Sequence, residues 1–588
     1  MLETAARDGR GRLADWTPCE GLSVRSPELI VPTVGLVDVP AWARVVVTQA
    51  PAGRAGVVEL VSGGTWFHPV DAEGLVVAAP QPGPTGQVQV LRVGEELAVF
   101  HDAGGWASNP TSAVPSLIEA RRQATPGRLL WAPALGSPAD YALWTYLGAD
   151  LFDASPLLLA ATRGQALTVD GPLPLEDAER LLGDGEEWDV QRLAQHNLEA
   201  ARRELALVRH HIARGALRAL VERRVYAAPS SVEILRRFDR EHAHLEAAAA
   251  TNRGGPLACM TGESLWMPEV ERFRRRVRDH YEPPAQPDIL VLLPCSRTKP
   301  YKLSPSHRHM QRALDESGIR HRVHEVMVTS PLGIVPRELE DVFPANAYDV
   351  PVTGRWTLDE GQVIRDQLAA LLARRTYRHV ISHVDAHTQE VIAPVLPEGA
   401  LHTAEGRPAS FGDCVRLRDA LRQVQEADPA GKDVRALGKA RKLDDLRALA
   451  SFQFGPEAAR ALTRSAFCHG RMPYVKLEEE GTGKQLGMTT AERGTISLTL
   501  EGAARIAGIE GYRVRIQDFE LKGTSSLFAV GVEGADADVR PGDEVVVLCG
   551  EEVRGVGVAQ MAAEEMGVMR RGIAVTVRHT ARRGEAGT

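Results

Sequence analysis

The spacing of apolar positions changes along this chain, and each change marks a different kind of element. Through residue 190, strand-like runs such as VRSPELIVPTVGLVDVP and QVQVLRVGEELAVF alternate with helix-like stretches such as SAVPSLIEARRQA and PADYALWTYLGA. From 188 to 250 the pattern is helical and Arg-rich. Pro283, Pro284 and Pro287 mark a linker. Between 288 and 425, apolar strands at DILVLLP, HEVMVTS and HVISHV alternate with helices near SHRHMQRALDESG and LDEGQVIRDQLAALLARR. That order predicts a mostly parallel sheet covered by helices. A basic joint, ADPAGKDVRALGKARK, leads to a small α+β stretch over 443–508. Residues 511–580 are β-rich, and YRVRIQDF, EVVVLCG, VRGVGVAQM and GIAVTVRHT fit the short half-buried strands of a small barrel.

The segment VLLPCSRTKPYKLSPSH, residues 291–307, concentrates the chemistry. A buried strand ends at Pro294 and feeds a polar loop, the place where open α/β sheets bind ligands. The loop carries a candidate nucleophile, Cys295, candidate anion clamps, Lys299 and Lys302, and a candidate acid or base, His307. A lysine beside a cysteine favours the thiolate. The bland readings are a small core cysteine, surface lysines, and a helix start with Ser304 as N-cap. His383, Asp385 and His387 alternate in VISHVDAHT, but no fourth ligand is visible, and strand-end polar residues are the preferred reading.

At 588 residues the chain needs several domains. Its net charge of −8 gives no global attraction to nucleic acid, so a polyanion must be met by local patches. The six cysteines are scattered without a C-x-x-C pair, so neither a zinc ribbon nor a redox dithiol is signalled, and their scarcity suits a reducing compartment. The N-terminal residues lack the apolar core of a signal peptide, and no apolar run approaches membrane-spanning length. A cytoplasmic location with no membrane association is expected.

LFAVGV followed by VRPGDEV, with Gly555-Val556-Gly557 and Arg571-Gly572, resembles the PUA domain, an RNA-binding pseudo-barrel. Arg540, Arg571 and Arg578 are its candidate RNA contacts, and Arg570, Arg582 and Arg583 add a basic tail. LLWAPALGSPADYALWTYLGADLFDAS, residues 129–155, resembles the strand, helix and strand before the nucleophilic aspartate of tRNA-guanine transglycosylases. By that match Asp153 stands at the nucleophile's place, DAGGW at 102–106 resembles the other aspartate motif, and LAQHN carries the zinc histidine's equivalent, His196. The cysteines that should precede His196 are absent and 190 residues are too few for a full barrel, so a degenerate barrel with no metal is expected.

P-C-x-x-x-K-P-Y-x-x-S-x-S-H, from Pro294 to His307, resembles the signature of the archaeosine synthase family, and VTSPLGIVPRELEDVFPANAYDVPVTGRW, from Val328, resembles the block that follows it. The fold class implied is multidomain α/β and α+β. It comprises a degenerate transglycosylase-like β/α barrel (1–190), a helical extension (191–282), a central α/β catalytic domain (286–428), a small α+β unit (440–508) and a C-terminal PUA barrel (510–585). The resemblance implies a transferase acting on tRNA that carries 7-cyano-7-deazaguanine at position 15, whose nitrile becomes the archaeosine amidine. Cys295, Lys299 and His307 are the expected catalytic residues. Tyr301, Ser304, Ser306, Ser330, Glu338, Asp349 and Trp356 are expected to bind substrate, with Glu340 a weaker candidate. No cofactor is called for. Lysine or glutamine (or ammonia) is the expected nitrogen donor, a separate radical-SAM lyase the expected partner in the lysine route, and a homodimer the expected assembly. Two other readings remain open: an active transglycosylase inserting the cyano base, and a tRNA-binding scaffold without catalysis.

Overall fold

The computed structural model describes residues 1–33, 38–48, 52–53, 56–62, 67–70, 88–91, 96–100, 103, 105–106, 109–182, 187–429, 434–521 and 526–581. Two compact units form. One holds Met1–Ala249 with the short segments Phe528–Gly531 and Glu564–Ala574; the other holds the remainder. The helical stretch expected as one extension is therefore divided. Its helices up to residue 249 pack in the first unit, and helix Pro268–Asp279 belongs to the second.

In the first unit an eight-stranded sheet has six parallel inner strands and a hairpin strand at each edge. Strand Glu28–Pro32 pairs with Leu151–Asp153, so early and late strands of the unit are neighbours, as in a β/α barrel. Helices Pro110–Ala124 and Tyr141–Leu147 cover the core with Val190–Ala213. Most arginines of the helical stretch are exposed or half-buried, but Arg218 is internal. Arg218 is fully buried between Glu222, at 2.9 Å, and Asp239, at 2.6 Å, and Arg224 lies 2.9 Å from Glu204. Burying such charges is tolerable only because each is paired.

In the second unit the central sheet has the spatial order Gly333–Pro336, Val323–Thr329, Ile289–Pro294, His379–Ser382, Leu401–His402. All pairings are parallel except the edge hairpin formed by the first two. Ile289 to Leu293 are each 0% exposed, which explains why this strand reads as an unbroken apolar run rather than an alternating one. The chain enters the sheet at this strand, turns one way to Val323–Thr329 and later the other way to His379–Ser382. The end of Ile289–Pro294 is thus the topological switch point, where crossovers leave on opposite sides and open a crevice. A four-stranded antiparallel sheet over 466–498 and a six-stranded mixed sheet over 513–580 follow.

Candidate active site

Cys295 is the first residue after the switch-point strand. The parallel register aligns Leu293 with Met327 and Pro294 with Val328, so Cys295 comes beside Thr329, whose hydroxyl acts on the thiol. Burial pushes the Cys295 thiol up from its ordinary value, while Lys299 and the Thr329 hydroxyl pull it down. Burial likewise lowers Lys299, and Cys295, Asp349 and Cys259 work against that shift. The lysine acts on the thiol in the expected direction, but dehydration outweighs it. The lysine pulls the thiol down and the thiol pulls the lysine up, so each favours the charged form of the other.

Lys299 Nζ lies 4.0 Å above the Tyr348 ring, whose face supplies negative potential. Behind the ring a chain of hydroxyls runs from Tyr301 to Tyr348, at 2.5 Å, and from Tyr348 to Thr329, at 2.5 Å. Tyr301 is completely buried, so it shapes the loop and does not face a substrate directly. Asp349 is exposed at the end of the short strand Tyr348–Asp349, on the side that Lys299 senses. Asp385, which closes the loop after His379–Ser382, is near enough to Cys295 to push its thiol up. Its carboxylate also caps helix Ala386–Ile392, accepting from the Thr388 N–H at 3.0 Å. A thiol, an amine, one chain of three hydroxyls and two carboxylates therefore gather at the switch point.

Several expected site residues lie elsewhere. His307 is 0% exposed. Its Nδ1 accepts from the Arg337 guanidinium at 3.2 Å, and its ring packs on Tyr301 at 5.0 Å. Burial and the Arg337 charge hold the imidazole down to about 3, so it is neutral and is engaged inside the domain. The expected proton shuttle is thus a brace between helix Pro305–Glu316 and the edge hairpin. Glu338 also leaves the site: its Oε1 accepts from the Tyr281 hydroxyl, and it lies 3.4 Å from His324. Lys302 pairs with Asp341, and its N–H donates to Glu340 at 2.9 Å, which ties the loop down. Ser304 precedes the helix as expected, but its hydroxyl meets Ser306 at 2.8 Å instead of capping an amide. Ser330 donates to Glu360 at 2.7 Å. Trp356 anchors the wall through Thr388, at 3.2 Å, and the His387 ring, at 3.0 Å.

The alternating histidines do not converge. His383 is buried between Thr403 and the Pro408 carbonyl, His387 faces Trp356, and Asp385 caps a helix. Among the described residues no group of three metal-ligating side chains comes together. Thr329, Tyr348 and Arg337 escaped the sequence reading, which considered Asp385 only as a metal ligand or a strand-end polar residue. Thr329 and Tyr348 sit next to Ser330 and Asp349 in the chain, so the signal was adjacency, but only register chooses between neighbours.

In the first unit, Asp153 ends its strand as expected. Both its oxygens are engaged, by the Ala134 N–H at 2.5 Å and the Ser155 N–H at 2.9 Å. His196 meets the Leu167 carbonyl at 3.2 Å and packs against Trp188. Asp102 and Gly104 of the DAGGW motif lie outside the described residues, as do Arg582 and Arg583. Of the expected RNA-binding arginines, Arg571 is exposed and lines an open cleft of about 590 Å³ with Arg570 and Arg128. Arg540 is buried, donating to the Ala537 and Val539 carbonyls, and Arg578 is bound to the buried Glu544, so these two hold the barrel rather than present a cation. No helix among the described residues is long and apolar enough to cross a membrane.

Comparison with known proteins places these modules in context. Residues 270–421 match a domain of unknown function (DUF5591), residues 444–510 the patch-forming domain C2 of tRNA-guanine transglycosylase, and residues 514–581 the PUA domain. An archaeosine synthase subunit alpha from Methanosarcina acetivorans is 34% identical, over 85% of this chain and 83% of the relative. An archaeosine synthase from Haloferax volcanii is 33% identical, over 83% of each. A tRNA-guanine(15) transglycosylase from Methanothermobacter thermautotrophicus is 26% identical, over 79% of this chain and 68% of the relative. With a switch-point cysteine, a transglycosylase-type module and a terminal PUA domain on one chain, and with that degree of identity along most of its length, this protein belongs to the archaeosine synthase family.

Proposed function

We propose that this chain is a tRNA-modifying transferase that adds an amino-group donor to the nitrile of 7-cyano-7-deazaguanine at position 15 of tRNA, giving the archaeosine amidine or its direct precursor. The observation that carries the reading is Cys295 at the end of the switch-point strand, with Lys299 near enough to pull its thiol down. A nitrile carbon is a weak electrophile. It needs a strong nucleophile and a proton for the nitrogen that becomes anionic.

The pair supplies both. The Cys295 thiol passes its proton to Lys299, and the thiolate adds to the nitrile carbon. Lys299 returns that proton to the nitrile nitrogen, leaving a neutral thioimidate and a neutral amine. The donor arrives as an ammonium and gives one proton to Lys299. Its lone pair then adds to the thioimidate carbon, a proton shifts between the two nitrogens, and the C–S bond breaks. Thiolate, lysine ammonium and an amidinium result, with every proton accounted for. Asp349 and Asp385 stand where they hold the cationic donor. In this scheme His307 has no part in proton transfer.

The donor is an amino acid, lysine or glutamine, or the ammonia derived from it. With lysine a radical-SAM lyase would cleave the adduct. The reading also includes a cytoplasmic location and a homodimeric assembly. Base-level mass spectrometry on tRNA carrying the cyano base, with lysine, glutamine or ammonium supplied separately, tests it. A mass gain of the base that depends on one donor is expected. An unchanged base with all three would leave only a tRNA-binding protein, and exchange of labelled guanine would indicate a transglycosylase.

A further inference from the structure

The parallel strands of the central sheet end at one edge, and the loops there carry a surplus of cations. Arg297 follows the switch-point strand, Arg355 precedes helix Leu358–Arg374, and Arg407 precedes helix Phe411–Ala427. Each is exposed, and none has an acidic partner among the described residues. Hydrogen bonds fix the last two loops at the edge that carries Cys295. The Trp356 N–H donates to His387, in the helix that follows His379–Ser382. The Pro408 carbonyl lies 2.7 Å from the His383 ring, and the His383 N–H donates to Leu292 at 2.8 Å. Among nearby carboxylates, Asp385 caps a helix, Glu360 accepts from Ser330 and Glu405 is paired with Arg416, while Asp349 and Asp359 are exposed. At the opposite edge the arginines are neutralised: Arg322 is paired with Asp288 and Asp428, and Arg378 with Asp428. Arginines left unpaired on one edge only point to a polyanion that covers that edge.

Beside that edge a groove of about 310 Å³ lies between helices Pro305–Glu316 and Phe411–Ala427. Cys414 and Val415 give it apolar lining, and His309, Arg312 and Arg418 give it cations. Glu316 is the one carboxylate among its lining residues, 3.7 Å from Arg418, and Arg312 has no acidic partner among the described residues. Phe411 also lines the groove. It is 87% exposed, at the first position of its helix. An open aromatic face among guanidinium groups is the combination that holds single-stranded nucleic acid, with the ring under a base and the cations on phosphate.

We propose that this groove holds an unstacked nucleotide of the substrate RNA, one that flanks the base being modified. Its base stacks on Phe411, and its phosphates meet Arg312 and Arg407. Strand Leu401–His402, which leads into the Phe411 helix, is two strand spacings, roughly 10 Å, from the strand that ends at Cys295. Phe411 is therefore a positioning residue: it keeps the flanking base out of the stack, so that its neighbour reaches the Cys295 crevice. A neutral apolar ligand would leave the arginines unmet. A second copy of this chain would bring the same unpaired arginines against them. The choice of RNA rests on the reading that this chain acts on tRNA.

Filter binding of the full-length protein to tRNA carrying the cyano base, and to the same tRNA with guanine at position 15, reads the groove without any chemistry. Phe411→Ala is expected to weaken both complexes about tenfold, and Phe411→Trp to keep wild-type affinity, since stacking needs only a ring. Arg407→Gln is expected to lower the slope of log affinity against log salt by about one. A photo-crosslinking benzoylphenylalanine in place of Phe411 is expected to attach to a nucleotide beside position 15. Thermal melts show that each variant is folded. Unchanged affinity for both tRNAs in Phe411→Ala, or a crosslink remote from position 15, would overturn the proposal. So would a dimer lost in Phe411→Ala with RNA affinity intact, which would give the face to self-association. If no donor changes the mass of the base while Phe411→Ala still loses affinity and the crosslink lies beside position 15, the transferase reading falls and the groove stands.

Discussion

Asp153 and Cys295 occupy the same kind of place in two different sheets: each stands at the C-terminal end of a parallel strand. Their surroundings differ. Both Asp153 oxygens accept from main-chain amides, which fix the carboxylate as an organiser of the loop around it. Cys295 has a lysine amine, a threonine hydroxyl and a carboxylate around it, groups that move protons and charge. A strand end supplies exposure and convergence, but chemistry depends on whether the partners are main-chain groups that lock a side chain or side-chain groups that change state with it.

The sharpest test of this contrast is Cys295→Ala. Product formation should fall to background while tRNA binding persists; near-normal turnover would break the comparison and leave direct amine attack as the route. Lys299→Gln should follow, with a loss of about 10²-fold in turnover, since it removes the proton carrier and keeps the thiol. Its turnover should become more dependent on pH, rising in alkali as the unassisted thiol ionises. A flat profile would show that the lysine acts only as a fixed charge.

His307→Gln should change turnover by less than about threefold, because the ring is neutral and already engaged by Arg337, as against the ~10²-fold or more expected on losing a general acid–base group. Its effect should appear in acid stability. The folded imidazole is held down to about 3, below its unfolded value near 6.5, so the unfolded state binds the extra proton. The stability associated with the neutral ring is complete above about pH 6.5 and declines as the pH falls toward 3. Melting temperatures of wild type and variant across that window should converge at the acid end. Asp153→Asn should have the smallest effect on catalysis, within about twofold. It should still lower stability by about 1–2 kcal/mol, because an amide cannot accept both main-chain N–H groups. A large catalytic defect there would return a chemical role to the first unit.

Much of the second unit was legible along the chain. Ile289 to Leu293 reads as an unbroken apolar run because both faces of that strand are covered. The proline after it and the Ser304-Pro305 helix start confine the polar loop between them, so the place of Cys295 and Lys299 followed from spacing alone. The first unit was less legible. Its parallel sheet joins Glu28–Pro32 to Leu151–Asp153, and pairings so distant in sequence leave no local periodic trace. Side-chain roles were the least legible. His307, Tyr301 and Ser304 share a motif with Cys295, and motif membership does not say which way a side chain points. The helix that begins at Pro305 turns His307 inward, where Arg337 and the Tyr301 ring engage it. Arg540 and Arg578 looked like cations offered to RNA, and the barrel turned both against buried acceptors.

The sequence by itself determined where strands end, where the loop with the thiol begins and which family the chain resembles, because apolar period, proline and cap residues act over a few neighbours. The tertiary structure decided which polar residues meet. Register set Thr329 beside Cys295, the switch point brought Asp385 near enough to act on it, and Arg337 engaged His307 while Tyr281 and His324 took Glu338. The reason is range: propensity and patterning are local, whereas the protonation and reach of a side chain depend on burial and on charges contributed by segments far away in the chain.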